Sequence, residues 1–419
     1  MLKSITVALS CWWSQLSPAP PPYPPSPAIA GIHFDLSTLD RLAPGSDNWA
    51  ITWADDGHQY VTWGDGGGFG GSNLDGRASL GFGRIEGGRD GYSALNVWGG
   101  KDAENPATFE GKSYGLISID GVLYMFRTGD GSEGTAFEIQ DLYASTNHAA
   151  SWNPLPVSFT PADFPASRGF FAPTFLQFGK DYAGARDDFV YIYAPENKGD
   201  GWTAQTPGEI ALARVRKDRI SNKAEYEYFA GLDPKGDPTW TGNISERKPV
   251  FEDPVNGVMR TSVSYNAGLK RYVLVTQQVG RHLLTNGHIG IYDAPEPWGP
   301  WTTVLLENAW CTELQTGLKN VYWNFSNKWL SADGKDFVLV YTGDGSDMWG
   351  AVEGSFRIRA GRDGHRDPST AKFHANFPGP ARPLDAGGID PPAARRAGAP
   401  PHQPADIHIF SVSLLSRVR

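Results

Sequence analysis

Cysteine is nearly missing. The 419 residues hold two, Cys11 and Cys311, so no disulfide framework shapes the fold. Cys311 has no histidine near it in sequence and reads as a lone thiol, not a nucleophile. Long apolar runs are also missing, and none approaches the roughly 18 residues needed to cross a bilayer. Positive charge is in deficit: 37 Lys and Arg stand against 46 Asp and Glu, a net charge of −9. No basic stripe could neutralise phosphates, which argues against nucleic acid as a partner. Helical periodicity is scarce, with one short helical turn expected around Arg216-Lys217-Asp218-Arg219.

What is abundant is turn chemistry and aromatics: 50 Gly, 32 Pro and 15 Trp. That mixture suits many short strands joined by tight turns. A tripeptide recurs at the ends of strand-like runs, with Asp65 in VTWGDGG, Asp130 in MFRTGDGS and Asp344 in LVYTGDGS. Such recurrence is the mark of a copied structural unit. Before each GD lies the same unit, an apolar run, a polar turn and a second alternating run. The turns fall at Asp55-Asp56-Gly57-His58, Asp120-Gly121 and Asp333-Gly334. Asp-Gly between alternating runs is a strong hairpin signal. Two weaker copies, Pro173 to Glu196 and Arg260 to Gln278, lack GD. Hairpin ends near 65, 130, 195, 277 and 344 leave room in each step for four strands.

The expected fold is therefore all-β, a five-bladed β-propeller, with a β-sandwich as the plainer alternative. Residues 145–152 (STNHAASW) resemble a degenerate Asp-box turn, with Asn147 and Ala149 at the motif's Asp and Gly positions. Residues 292–301 (YDAPEPWGPW) look like an outer-strand closing turn. The expected domains are a leader and Pro-rich linker over 1–32, the propeller over 33–360 and an irregular or disordered tail over 361–419. Lys3 and the apolar stretch behind it loosely fit an export signal. That makes a secreted or periplasmic protein the expectation, with Cys11 as the residue a lipid anchor would use.

The chemistry centres on the first hairpin. With a turn at Asp56-Gly57, opposed residues sum to about 113, which sets Asp47 across from Asp65 at the open end. Opposed side chains stand roughly 5 Å apart, the separation of the two carboxyl groups in a retaining glycoside hydrolase. Asp55, Asp56, Asp130 and Asp344 are read instead as turn caps. Trp49, Trp63 and Trp323, with Asn324, are candidate sugar-binding residues, as is Arg260 at the start of an inner strand. The Gly-rich stretch 64–73 leaves backbone free to approach a ligand. Arg186 and Asp187 are expected to pair in a hairpin loop.

Ser46 to Phe69 (SDNWAITWADDGHQYVTWGDGGGF) resembles the opening of a propeller family first catalogued as a domain of unknown function. Residues 172–193, 211–220, 292–303 and 328–345 (APTFLQFGKDYAGARDDFVYIY, ALARVRKDRI, YDAPEPWGPWTT, KWLSADGKDFVLVYTGDG) extend the likeness to about residues 33–360. That family includes endo-D-arabinanases. The resemblance implies that Asp47 and Asp65 are the catalytic pair, although those enzymes tend to read Thr-Asp and Gly-Asp-Thr where this chain has Ser46-Asp47 and Asp65-Gly66. The expectation is a monomeric glycoside hydrolase cleaving an arabinan-like polysaccharide, with Asp47 as nucleophile or stabiliser and Asp65 as acid, and with no cofactor or metal. Two alternatives stay open. One is a polysaccharide lyase acting on uronate glycans, using Arg260 with Tyr265 or Tyr114. The other is a non-catalytic glycan-binding propeller.

Overall fold

The structure is a computed structural model. It describes residues 20–129, 137–165, 167, 169–199, 204–278, 288–307, 310, 320–343 and 347–359. Asp130, Asp344, Cys11, Cys311 and the stretch 361–419 lie outside the described residues.

The described chain is all-β apart from short 3-10 turns, one of them at the expected place, Lys217–Arg219. It opens with β1 (Ile29–Leu42). A meander follows: β2 (Ile51–Trp53), β3 (Gln59–Gly64), β4 (Leu80–Glu86) and β5 (Ser93–Trp98). The next is β6 (Lys112–Ile119), β7 (Val122–Thr128), β8 (Gln140–Ser145) and β9 (Asn153–Phe159). Then come β10 (Thr174–Gln177), β11 (Phe189–Pro195), β12 (Gly208–Arg216), β13 (Glu227–Leu232), β14 (Pro238–Thr241) and β15 (Pro249–Asp253). After these run β16 (Thr261–Asn266), β17 (Arg271–Gln277), β18 (Ile289–Ala294) and β19 (Thr302–Glu307). The last are β20 (Val321–Phe325), β21 (Asp336–Thr342) and β22 (Trp349–Ile358).

β2 to β5 and β6 to β9 form separate four-stranded sheets in sequence order. The meanders starting at β10 and β16 are joined through a short parallel pairing, Leu176 with Val263 and Gln177 with Ser264, so they count as one ten-stranded sheet. The final sheet runs β20, β21, β22, β1. β1 thus supplies the outermost strand of the sheet that the end of the domain builds. The expected domain start at 33 is too late: the strand begins at Ile29, and Tyr23, inside the supposed linker, packs on Phe251 and Tyr292 with centroids 5.1 and 6.0 Å away.

Burial follows strand position. β3 and β6 are buried at every residue, which requires packing on both faces. Exposed or half-exposed positions collect on the outermost strands β5, β9, β14 and β19. Sheets stacked face to face bury their inner strands on both sides and release alternation only at the rim.

The first strands of the meanders meet along a common line. Thr52 in β2 donates its hydroxyl to Gln177 Oε1 in β10 at 2.9 Å, and the Gln177 amide donates to the Leu116 carbonyl in β6 at 2.8 Å. Ser262 in β16 donates to the Trp323 carbonyl in β20 at 2.6 Å, and the Asn324 amide donates to the Trp49 carbonyl at 3.1 Å. The gap between β2, β6, β10, β16 and β20 is a cavity with about 10 Å³ of free room, near one water's worth. Short polar side chains hold these strands together where backbone pairing is absent.

The turn readings divide. Asp120 and Gly121 have φ of 49° and 79°, and Ile119 pairs with Val122, the geometry a type I′ turn needs. The other two hairpins have longer loops, between Trp53 and Gln59 and between Phe325 and Asp336. Residues 145–152 do join third and fourth strands. There the Asn147 side-chain oxygen accepts from the Ser151 backbone N–H at 2.9 Å, as an Asp would. Residues 292–301 likewise lead from β18 to β19. Arg186 and Asp187 do not pair. Arg186 reaches Glu296 at 3.2 Å, while Asp187 accepts from the Tyr191 hydroxyl at 2.6 Å.

Candidate functional site

Asp47 precedes β2 and bridges to Gly64 at the end of β3. The two residues exchange backbone bonds, Asp47 N–H to Gly64 carbonyl at 2.8 Å and Gly64 N–H to Asp47 carbonyl at 2.6 Å. This corrects the expected register by one residue. Within the hairpin Ile51 pairs with Val61 and Trp53 with Gln59, which extrapolates to Asp47 opposite Asp65. Asn48, at φ 62°, takes up an extra residue on the first strand and moves Asp47 onto Gly64. Asp65 follows at φ 55°, its N–H bonded to the Ser79 carbonyl at 3.1 Å, so it leaves the ladder. The two aspartates remain neighbours. A hydrogen-bonded bridge sets Cα atoms about 5.5 Å apart and one further residue adds about 3.8 Å, which bounds their Cα separation at about 9 Å.

Their surroundings differ sharply. Asp47 is half-buried by surface area, yet protein atoms crowd it on most sides. Its Oδ1 accepts from the Asn48 side-chain amide at 2.7 Å. Burial pushes its carboxyl up from 3.8 to about 7; the Asp347 and Asp65 charges add to the rise, while Arg260 and Lys112 oppose it. Asp65 is more open, with its side chain 39% exposed. Lys112 Nζ lies 2.8 Å and Arg77 Nη2 3.1 Å from the same oxygen, Oδ1.

Each element contributes through its end. Lys112 is the first residue of β6, buried, and its ammonium also donates to the Ser79 carbonyl at 2.7 Å. Arg260 stands just before β16, as expected from its place at an inner-strand start. It is buried, with its guanidinium 5.3 Å over the Tyr114 ring and Nη1 donating to Gln277 Oε1 at 3.0 Å. Asp347 comes from the β21–β22 connection, where its carbonyl accepts from Gly45 N–H. Lys112, Arg77 and Asp347 were not foreseen. Lys112 occupies a place like those of Asp47 and Arg260, at the head of a first strand, and that position was the available signal.

The tryptophan expectations fail. Trp49 and Trp63 are 0% exposed and Trp323 is 1% exposed. Trp49 stacks on Trp63 with centroids 6.2 Å apart and meets Trp349 edge-on at 5.4 Å. Trp323 packs edge-on against Trp310 at 5.9 Å. These rings fill the core between sheets and offer no face to a sugar. Trp323 and Asn324 lie within β20, and Asn324 faces the central cavity. The Gly-rich stretch is not spare backbone either. A Cβ on Gly66 would sit 2.4 Å from the Gly45 carbonyl, and one on Gly68 2.3 Å from Asn96 Oδ1. Those glycines let the loop pack on itself, pinned by the buried Asn96 amide, which donates to the Gly67, Phe69 and Lys101 carbonyls.

Tyr265 packs against Phe178 and Tyr272 and is not part of this group. At the closed end of the β2–β3 hairpin, Asp55, Asp56 and His148 bring ligand atoms within 4.8 Å of one another, the one such trio among the described residues. Asp56 acts there as a turn residue, accepting from the His58 N–H at 2.9 Å and the Tyr60 hydroxyl at 2.7 Å.

Residues 115–311 match the protein family described as "Domain of unknown function (DUF4185)". Asp47 and Asp65 fall outside that span, and Arg260 falls inside it. No curated protein matches the sequence. Among solved structures, the chain is similar to an α-L-arabinofuranosidase from Podospora anserina in complex with cellotriose. That match has 11% identity, covers 75% of this chain and 91% of the other, and has a TM-score of 0.40. It is also similar to a GH43_1 enzyme from Xanthomonas citri (13%, 76% and 92%, 0.42) and to an endo-arabinase from Bacteroides thetaiotaomicron (14%, 77% and 96%, 0.40).

Proposed function

We propose that this chain, whose residues 115–311 match the DUF4185 family model, is a glycoside hydrolase acting on an arabinan-like polysaccharide, built as a five-bladed propeller whose blades start at β2, β6, β10, β16 and β20. The observation that carries the reading is the adjacency of Asp47 and Asp65 at the open end of the innermost hairpin, in unlike environments. Paired carboxyls held in different surroundings divide into a proton donor and an ionised partner.

The two aspartates take the reverse of the roles expected from the sequence. With its carboxyl held near 7, Asp47 keeps its proton up to about neutral pH and serves as the acid that protonates the glycosidic oxygen. Asp65, set between Lys112 and Arg77, is the carboxylate that attacks or stabilises the anomeric carbon through an oxocarbenium-like state. Lys112 and Arg260 limit the build-up of negative charge where Asp47, Asp65 and Asp347 gather.

The lyase alternative loses its base. Tyr114 is buried beneath Arg260 and its hydroxyl is pushed well above its ordinary value by burial, so it is poorly placed to take a proton from a sugar. The glycan-binding alternative loses its platforms, since the named tryptophans are core. The test is incubation of recombinant protein with arabinans and uronate-containing glycans, reading new reducing ends and the ultraviolet absorbance of a new C4–C5 double bond. Reducing ends that vanish in both Asp47→Asn and Asp65→Asn support the proposal. Absorbance without hydrolysis, or turnover that survives both substitutions, overturns it.

A further inference from the structure

Two cations from different parts of the chain converge on one atom. Lys112 Nζ from β6 lies 2.8 Å from Asp65 Oδ1, and Arg77 Nη2 from the β3–β4 loop lies 3.1 Å from the same oxygen. Asp65 Oδ2 has no donor among the described residues. Lys112 is fixed from behind. It is buried, its ammonium also donates to the Ser79 carbonyl at 2.7 Å and its chain runs beside Gly64, where a Cβ would come within 2.8 Å of Lys112 Cδ. Arg77 is steadied by Asn73, whose carbonyl and side-chain oxygens both accept from Nη1.

We propose that Lys112 and Arg77 are positioning residues that secure one carboxylate oxygen of Asp65 and leave the other open toward the substrate. The inference rests on the hydrolase reading of the Asp47–Asp65 pair. Its physical basis is orientational. Asp65 sits at φ 55° outside the ladder, so no strand pairing fixes its side chain. A carboxylate that turns freely spends little time in a geometry that reaches a sugar. One hydrogen-bonding ammonium and one guanidinium against a single oxygen stop that rotation without occupying both oxygens. A bidentate arginine would fill both and remove the group from the reaction. Arg77 is 46% exposed, so its pairing adds little to stability, and its value lies in aim. The charged and titratable groups facing Asp65 are Lys112 and Tyr114 from β6, Arg77 from the β3–β4 loop and Asp47 from ahead of β2.

The test combines kinetics with a readout that needs no turnover. On debranched arabinan or a p-nitrophenyl arabinofuranoside, Lys112→Met should lower kcat by on the order of tenfold to a hundredfold. KM should stay within about twofold, because the lost interaction acts on the reacting group. Lys112→Arg should recover part of the rate. Arg77→Gln, at an exposed position that does not threaten folding, should show the same pattern more weakly. Separately, the order of the Asp65 side chain is read by carbon NMR relaxation in wild type, Lys112→Met and Arg77→Gln, and it should fall in both variants. Unchanged kcat and unchanged side-chain order overturn the positioning role. Lowered order in a protein that hydrolyses nothing leaves the anchoring of Asp65 standing and removes the hydrolase reading alone.

Discussion

Replacing Asp47 by asparagine should stabilise the protein at high pH while removing its activity. Burial, joined by the Asp347 charge, raises the Asp47 carboxyl from 3.8 to about 7. At about 1.4 kcal/mol per pH unit, that gap is worth about 4 kcal/mol against the folded state once the group is ionised in both states. The sign follows from proton binding. Below pH 4 both states hold the proton and there is no cost. Between pH 4 and 7 the unfolded chain has released it and the folded chain keeps it, so stability falls as pH rises. Above pH 7 the loss is complete. Asparagine carries no such proton. Only about two of those units lie above pH 5, so the expected gain of Asp47→Asn over wild type between pH 5 and pH 8 is about 2 to 3 kcal/mol. Urea unfolding followed by tryptophan fluorescence at both pH values measures it. A wild-type-to-variant difference that agrees at pH 5 and pH 8 within about 0.5 kcal/mol would refute the reasoning. The same proton should appear in catalysis as a fall in kcat/KM above about pH 7.

Asn48→Val forces a β-branched residue to φ 62° and deletes the amide donor to Asp47. It should cost about 1 to 2 kcal/mol in thermal unfolding, and Asn48→Gly should avoid the strain part. Glu196→Gln strands Arg247, which is only 12% exposed and holds both carboxylate oxygens of the buried Glu196. A loss of about 3 to 5 kcal/mol is expected by denaturant titration, partly recovered when Arg247 is replaced by Met as well. Phe34→Ala removes the β1 ring that packs edge-on against Trp310 at 5.1 Å and Phe337 at 5.9 Å. It should cost about 3 kcal/mol and open the β1–β22 pairing first, visible as early amide exchange over Phe34 to Asp35 and Glu353 to Phe356.

Much of the strand plan was legible because hairpin chemistry is local. Asp120 and Gly121 form the turn their residue types demand, and the two copies without GD are the β10–β11 and β16–β17 hairpins. What escaped depended on distant partners or on single dihedrals. The one-residue slip at Asp47 comes from Asn48 alone, and asparagine occupies both extended and left-handed backbone. The tryptophans looked like platforms because spacing cannot tell a ring between two sheets from a ring at a mouth. Trp49 meets Trp349 across 300 residues of chain. Lys112 and Arg77 reach Asp65 from a neighbouring strand and from a later loop, and neither approach leaves a mark in the first hairpin. β1 was passed over because its partner, β22, lies at the other end of the domain.

That last pairing has a consequence for how the molecule is made. Synthesis delivers β1 long before β22, and until residues 349–358 emerge the early strand has no ladder to join. A product cut short before Trp349 would carry an unpaired edge, ready to associate with other chains. The same stitching makes the sequence's starting point arbitrary as far as the sheet is concerned. Ile29 and Ile358 are already side by side, so a short tether between them, with new ends cut at the exposed Lys235-Gly236 turn, would ask no strand to move.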